Sequence, residues 1–342
     1  MPISTTNKTI CAAFYKHTNI RFDGKVHACC RSDIAIKQFD GDLDGLLHSK
    51  EYNEIREKTS RGEKIATCSK CYLEEEHGKK SMRMRFNSMY PDAKVELRDI
   101  EIYPNNICNL TCEMCLGEFS SAKWTKNNPD KPSKEGIKIL PKLPTLPSTI
   151  RKIKFMGGEP FMTSSHRKIL QTMDNDSLKN LELEYTTNGH FLLTKEDHKI
   201  FKQCRNVEIS VSIDAFGDLN SIVREGADWN KIDKFVDDII QNTNYDIFIY
   251  TTLHNKGWSN IDKLGDWYWQ KKLNIKNKSR LGWDIIPLVY PDKLSIRHLP
   301  DSDKQKLTKW INVWGKEILK DNGSYIMSLL KRRQYSISGI TF

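Results

Sequence analysis

From Asp99 onward, short apolar runs alternate with longer amphipathic or polar stretches. Residues 100–103, 152–156, 181–186, 207–213, 246–253 and 283–289 carry β-branched or aromatic residues at high density, which predicts six short strands. Between them, residues 119–126, 165–173, 195–203, 229–241 and 261–272 have helical periodicity. Strands alternating with helices imply right-handed parallel crossovers, which cover a sheet or close it into a barrel. Six such units are too few for a complete eight-unit barrel, so an open (β/α)6 arrangement is expected, with ligands at the C-terminal ends of the strands. Proline- and lysine-rich residues 131–147 predict an irregular excursion in the first βα unit. After Pro291, residues 302–320 and 324–333 predict helices. Leu307, Trp310, Ile311, Trp314 and Ile318 recur at helical spacing there, which favours a structural brace over a lid.

The first 95 or so residues lack that rhythm and instead hold five cysteines, Cys11, Cys29, Cys30, Cys68 and Cys71. Three regions are therefore expected: an N-terminal cysteine-rich domain (1–95), the barrel (96–290) and a C-terminal helical extension (291–342). Nine cysteines in 342 residues would suggest disulfides in a secreted chain. The first eight residues have no apolar signal-peptide core, and no apolar run approaches the roughly 20 residues that span a bilayer. The expectation is a soluble cytoplasmic protein with reduced, metal-bound thiols and no membrane partner. The net charge of +10 is dispersed, with concentrations at Lys79, Lys80, Arg83 and Arg85, between Lys271 and Arg280, and at Lys331, Arg332 and Arg333. Such charge attracts anions, yet no RNA-binding motif interrupts it, so nucleic acid is a possible but not a favoured partner.

Chemistry enters with Cys108, Cys112 and Cys115, spaced CxxxCxxC, with no further cysteine until Cys204. Three thiolates on one loop can hold three irons of a [4Fe-4S] cluster and leave the fourth open, whereas a structural zinc site needs another ligand nearby. Downstream stands Gly157-Gly158-Glu159-Pro160. Together the two motifs resemble the radical S-adenosylmethionine (radical SAM) superfamily, whose signature is CxxxCxxC after the first barrel strand and GGEP after the second. The resemblance covers most of residues 10–290 and implies a partial (β/α)6 barrel. It also implies that SAM chelates the open iron held by Cys108, Cys112 and Cys115. Gly157, Gly158 and Glu159 resemble the segment that contacts the SAM amino group, where absent side chains let the backbone approach. Thr187 and Asn188 close the third strand. Ser212 and Asp214 close the fourth, where the family presents ribose-binding groups. Arg224 resembles the arginine that pairs with the SAM carboxylate. Thr252, His254 and Asn255 lie on or after the fifth strand, where lining a pocket and capping a loop remain equal alternatives. One departure is Met114, where the family usually has an aromatic residue against adenine; a polarizable thioether can still pack there.

The N-terminal cysteines follow C-x12-G-x4-C from Cys11 through Gly24 to Cys29, joined by the CxxC of Cys68 and Cys71. This resembles half of the SPASM auxiliary-cluster pattern, a twitch domain, placed before the barrel rather than after it. The resemblance implies a second [4Fe-4S] cluster on Cys11, Cys29, Cys68 and Cys71, with Cys30 a spare or an alternate ligand; a four-thiolate zinc site remains the alternative. Cys204 reads as a structural thiol, and Tyr103, His17, His27 and His77 as local hydrogen-bonding groups, so no catalytic acid or base is assigned.

The resulting expectation is a radical SAM enzyme that cleaves SAM reductively and takes hydrogen from a peptide, protein or small metabolite, with electrons from an external low-potential donor such as flavodoxin or ferredoxin. The alternatives are a metal-cluster or nucleic-acid-binding module without catalysis, and an RNA-modifying radical SAM enzyme.

Overall fold

The computed structural model describes residue 3, residues 7–76, residue 78, residues 80–318 and residues 322–331. His77, Lys79, Arg332 and Arg333 lie outside the described residues, as do the predicted helix ends at 319–320 and 332–333. The strands are β1 (His17–Ile20), β2 (Lys25–His27), β3 (Ala35–Gln38), β4 (Asp99–Ile102), β5 (Lys152–Phe155), β6 (Glu182–Thr187), β7 (Asn206–Ser212), β8 (Asp246–Leu253) and β9 (Leu281–Pro287). β4 to β9 are the six predicted strands, with bounds displaced by at most two residues. Along the chain they alternate with helices in the order that a partial (β/α)6 barrel requires. The chain divides into two compact units, one of Met1–Asn109, Leu116–Thr187 and Phe191–Ile209, the other of Leu110–Cys115, Asn188–His190 and everything from Ser210.

In the first unit β1 pairs in parallel with β4, β4 with β5 and β5 with β6. The cysteine-rich region thus contributes strands to the sheet itself, through the antiparallel β1–β2 and β2–β3 pairs. Sequence periodicity left these three strands unassigned, although Asp23-Gly24 is a hairpin signal. Gly24 takes φ +77°, and a Cβ there would meet the Gln38 side chain. All four residues of β1 and of β4 are buried, as expected for strands covered on both faces.

An aromatic cluster holds the helices of this unit. The Phe155 and Tyr185 rings stack at 5.3 Å, and Tyr185 also meets Phe201 and His166. Asp197 ties the layer together, accepting from His166 Nε2 at 2.9 Å and Arg167 Nη1 at 2.8 Å while completing a capping box with Thr194. The predicted 165–173 helix stops at Leu170; a new one, Asn175–Lys179, starts at Asp174, whose carboxylate accepts from Ser177 N.

In the second unit β8 and β9 pair in parallel over seven residues. The helix Trp229–Asn242 buries Ile232, Phe235, Val236, Ile239 and Ile240, an apolar stripe at helical spacing. Leu307 and Ile311 of the helix Asp301–Ile318 are buried, and the helix Asn322–Lys331 packs on β9, which makes the C-terminal helices a brace.

Candidate functional site

The stem of the cysteine loop leaves β4 through Pro104 to Ile107 and is fixed by two asparagines. Asn105 Oδ1 accepts from Ile107 N at 3.0 Å. Buried Asn106 donates to the carbonyls of Glu118 and Gly136 and accepts from Lys138 N, so it ties the stem to the 131–147 excursion, which is irregular as expected. Cys108 N donates to Ser121 Oγ at 3.2 Å. The loop continues in the second unit, where Thr111 N donates to Glu225 O and Glu113 N to Val223 O. Lys256 holds the Glu113 carboxylate at 2.6 and 2.8 Å. Cys112 is buried, and Cys108 and Cys115 are half-buried.

Within the first unit the glycine pair is explained by this stem. Gly157 has φ +131°, and a Cβ there would lie 2.4 Å from Asn105 O. At Gly158 a Cβ would lie 2.2 Å from Ile107 O and 2.5 Å from the carbonyl carbons of Asn106 and Ile107. Gly158 N donates to Asn105 O and Glu159 N to Ile107 O, at 3.2 and 2.7 Å. The sequence reading gave the absent side chains to an approaching cofactor; the structure shows that they admit the backbone that carries Cys108. Buried Glu159 accepts from Phe161 N at 3.1 Å and from Thr187 Oγ1 at 2.8 Å, which locks the end of β6 to this segment.

In the second unit Asn188 Oδ1 accepts from the backbone N of His190 at 3.1 Å and lies 3.0 Å from His190 Nδ1. His190 Nε2 accepts from Asp228 N at 2.7 Å, which assigns the neutral ring its proton on Nδ1; burial lowers its pKa accordingly. Sequence reasoning passed over His190, whose only signal was its place two residues after Asn188. Asp214 is fully buried and accepts from Arg224 Nη1 at 2.8 Å and Thr252 N at 2.7 Å. Asp214 therefore positions Arg224 as well as ending β7, where Ser212 is half-buried. Asn255 is a loop cap: it donates to Leu294 O and Lys293 O. His254 is buried, and its pKa is lowered chiefly by burial. Its Nδ1 accepts from Lys256 N at 3.3 Å, and its buried Nε2 has no hydrogen-bond partner among the described residues. A donor so placed suits a polar cofactor, and the buried Asp214–Arg224 pair suits one that carries a carboxylate.

The four N-terminal cysteines that the twitch pattern groups are neighbours. Burial raises the pKa of Cys11, and Cys68 and Cys71 raise it further; Cys29 is raised by burial, then by Cys11. Cys68 is pushed up to about 12 by burial and by Cys71. Backbone N–H groups of Ala13, Arg31 and Arg83 act in the opposite sense on Cys11, Cys29 and Cys71. Buried thiols that raise one another's pKa suit a cation that takes them as thiolates, and N–H donors to the sulfurs are what tune an iron–sulfur centre. Among the described residues, no three His, Cys, Asp or Glu side chains are drawn close enough to clasp a single metal ion. Arg83, which the sequence marked only as part of a basic concentration, is buried at this site, donates bidentately to Glu75 and reaches Ile10 O at 2.9 Å. Cys30 turns elsewhere, hydrogen-bonding Glu101. Cys204 is half-buried, its thiol 3.6 Å from Ile200 O.

Residues 11–72 match the SPASM family, an iron-sulfur cluster-binding domain, and all four of these cysteines fall inside the match. Among curated proteins similar to the chain, a probable GTP 3',8-cyclase of Methanococcus vannielii is 32% identical over 146 residues, 42% of this chain and 46% of the relative. That of Methanocaldococcus jannaschii is 28% identical over 137 residues, 37% of this chain and 44% of the relative. The chain thus spans less than half the length of these relatives. Solved structures similar to it include native anSMEcpe with bound AdoMet, at 17% identity and TM-score 0.46, covering 64% of this chain and 61% of that one. Streptococcus suis SuiB bound to precursor peptide SuiA is similar at 14% identity and TM-score 0.42, covering 84% and 54%. Among the described residues, no helix is long and apolar enough to cross a membrane.

Proposed function

We propose that this chain is an enzyme in which Cys108, Cys112 and Cys115 hold a [4Fe-4S] cluster with one open iron, and Cys11, Cys29, Cys68 and Cys71 hold a second. The observation that carries the reading is the seat of Gly157-Gly158-Glu159 on the stem of the cysteine loop, with no room for a Cβ and two backbone hydrogen bonds. That contact fixes the stem leading to Cys108 against the segment that resembles the one the superfamily uses for SAM. Were the cluster and SAM bound and reduced, they would supply radical hydrogen abstraction from substrate. The chain's own residues bind and orient. Gly157, Gly158, Glu159 and Thr187 form the frame in the first unit; Asn188, Ser212, Asp214 and Arg224 present polar groups in the second, with Arg224 held by Asp214 for a carboxylate. The auxiliary cluster supports oxidation or modification of a peptide, protein or small metabolite, and an external low-potential donor such as flavodoxin or ferredoxin supplies electrons.

The test is anaerobic reconstitution followed by reduction in the presence of SAM. About eight irons per chain and formation of 5'-deoxyadenosine that vanishes in Cys112→Ala are expected. Fully loaded protein that cleaves no SAM would overturn the catalytic reading in favour of a structural cluster module. About four irons accompanied by zinc would replace the second cluster with a zinc site.

A further inference from the structure

In the first unit a short helical turn, Ala66–Cys68, runs directly into the helix Ser69–Glu76. Cys68 and Tyr72 therefore stand four residues apart on continuous helical backbone, and their side chains share one face. Both are buried, as is Cys71. Lys64 Nζ, paired with Glu76 at 2.8 Å, lies 5.4 Å from the centre of the Tyr72 ring and holds the ring from one side. Tyr72 is 7% exposed, yet its hydroxyl is buried and completes no hydrogen bond among the described residues. A buried donor left in that state costs stability, and in a native protein it calls for a bound partner.

The group that the hydroxyl faces is the sulfur of Cys68, with Cys11 also close. A neutral thiol is a weak acceptor, whereas a thiolate bound to iron is a strong one. The other three sulfurs of the group are faced by backbone N–H donors, those of Ala13, Arg31 and Arg83. On Cys68 the facing donor is a side chain. The Arg83 guanidinium lies near the same sulfurs but is engaged by Glu75 and Ile10 O. A tyrosine keeps its proton at neutral pH, so the Tyr72 hydroxyl has one to donate.

We propose that the Tyr72 hydroxyl donates a hydrogen bond to the Cys68 thiolate of the second cluster and thereby raises that cluster's reduction potential. The inference deepens the two-cluster reading and rests on it for the role of Cys11, Cys29, Cys68 and Cys71. Adding one electron makes an iron–sulfur cluster and its thiolates more negative, so a fixed donor stabilises the reduced state more than the oxidised one. Backbone donors are common to any residue type at their positions, but this donor exists only because residue 72 is a tyrosine. A phenylalanine there would keep the ring against Lys64 and lose the hydrogen bond alone.

The experiment is dithionite titration with redox mediators, followed by electron paramagnetic resonance, on the anaerobically reconstituted full chain. Cys108→Ala, Cys112→Ala and Cys115→Ala are combined in the parent protein so that the N-terminal cluster gives the signal. Adding Tyr72→Phe should leave about four irons bound and lower the one-electron reduction constant about tenfold, the scale of one hydrogen bond to a charged group, which is about 59 mV. Electron–nuclear double resonance of the reduced cluster should lose one exchangeable-proton coupling in the same variant. Replacing Tyr72 with 3-fluorotyrosine, a stronger donor, should shift the potential the opposite way, and Tyr15→Phe should leave it unchanged. If Tyr72→Phe fails to retain iron, the 3-fluorotyrosine protein, which keeps both ring and hydroxyl, decides alone. An unchanged potential at full iron content, an undiminished proton coupling, or a fluorotyrosine shift that is absent or of the wrong sign would overturn the proposal. Zinc in place of iron in the parent protein would instead overturn the second cluster itself, so the two failures are told apart by metal analysis.

Discussion

Replacing Gly158 with alanine tests the joint between the two sequence motifs directly. The added Cβ would sit 2.2 Å from Ile107 O and 2.5 Å from two carbonyl carbons, all of them backbone, so no rotamer change can relieve the contact. Overpacking of this kind costs about 1–3 kcal/mol, and a rigid backbone neighbour places Gly158→Ala near the upper figure. The strain falls on the residues immediately before Cys108 and on the two hydrogen bonds from Gly158 N and Glu159 N to the stem. The variant should therefore melt several degrees lower by circular dichroism. After anaerobic reconstitution it should lose about four of about eight irons, with the N-terminal cluster retained. Gly265→Ala is the control: its Cβ would meet only Trp283 ring atoms at 3.8 and 4.0 Å in a helix, where alanine gains up to about 1 kcal/mol. A Gly158→Ala protein with full iron content and a melting temperature within about a degree of wild type would refute the argument.

Arg83→Met should strand the Glu75 carboxylate, cost about 3–5 kcal/mol and reduce iron at the N-terminal site, which chemical denaturation and iron analysis would read. Burial opposes ionisation of Asp197, but its bonds from His166, Thr194 and Arg167 overcome this and hold its carboxyl well below the usual range. The stability it contributes is therefore present above about pH 4 and lost as pH falls through the depressed value; Asp197→Asn should cost about 3 kcal/mol at neutral pH and flatten the acid limb of the stability profile. For His17, burial favours the neutral ring, yet Asp99 and Glu101 push it up to about 9. Its contribution is complete below about pH 6.5 and disappears as pH rises through 9, so urea midpoints of wild type should decline across that window and those of His17→Gln should not.

Local signals carried much of the molecule. Strand β8 was legible to the residue because Asp246–Leu253 alternates cleanly between half-buried and buried positions, and the helix Trp229–Asn242 because its apolar residues keep one face. The Asp174 cap, by contrast, divided a segment whose apolar pattern ran on, and β1 showed no apolar run because three of its four buried residues are His17, Thr18 and Asn19. The cysteines and the glycine pair were visible through motif spacing, and Arg224 through its place downstream of Asp214. Their partners were not. Asn106, His190 and Asp197 are ordinary polar residues whose importance arises from hydrogen bonds to groups 30 or more residues away.

The sequence by itself determined the order of strands and helices and the spacing of the two cysteine groups, since periodicity and motif spacing are properties of neighbouring residues. Tertiary structure decided what those residues do for one another. It gave Gly157 and Gly158 to the stem of the cysteine loop, gave Asp214 to Arg224, and joined β1 of the cysteine-rich region to β4. It also aligned Glu101, Lys154 and Glu184 across three strands separated by long stretches of chain. Backbone clearance, burial and charge balance depend on distances between segments remote in sequence, and only the folded chain fixes those distances.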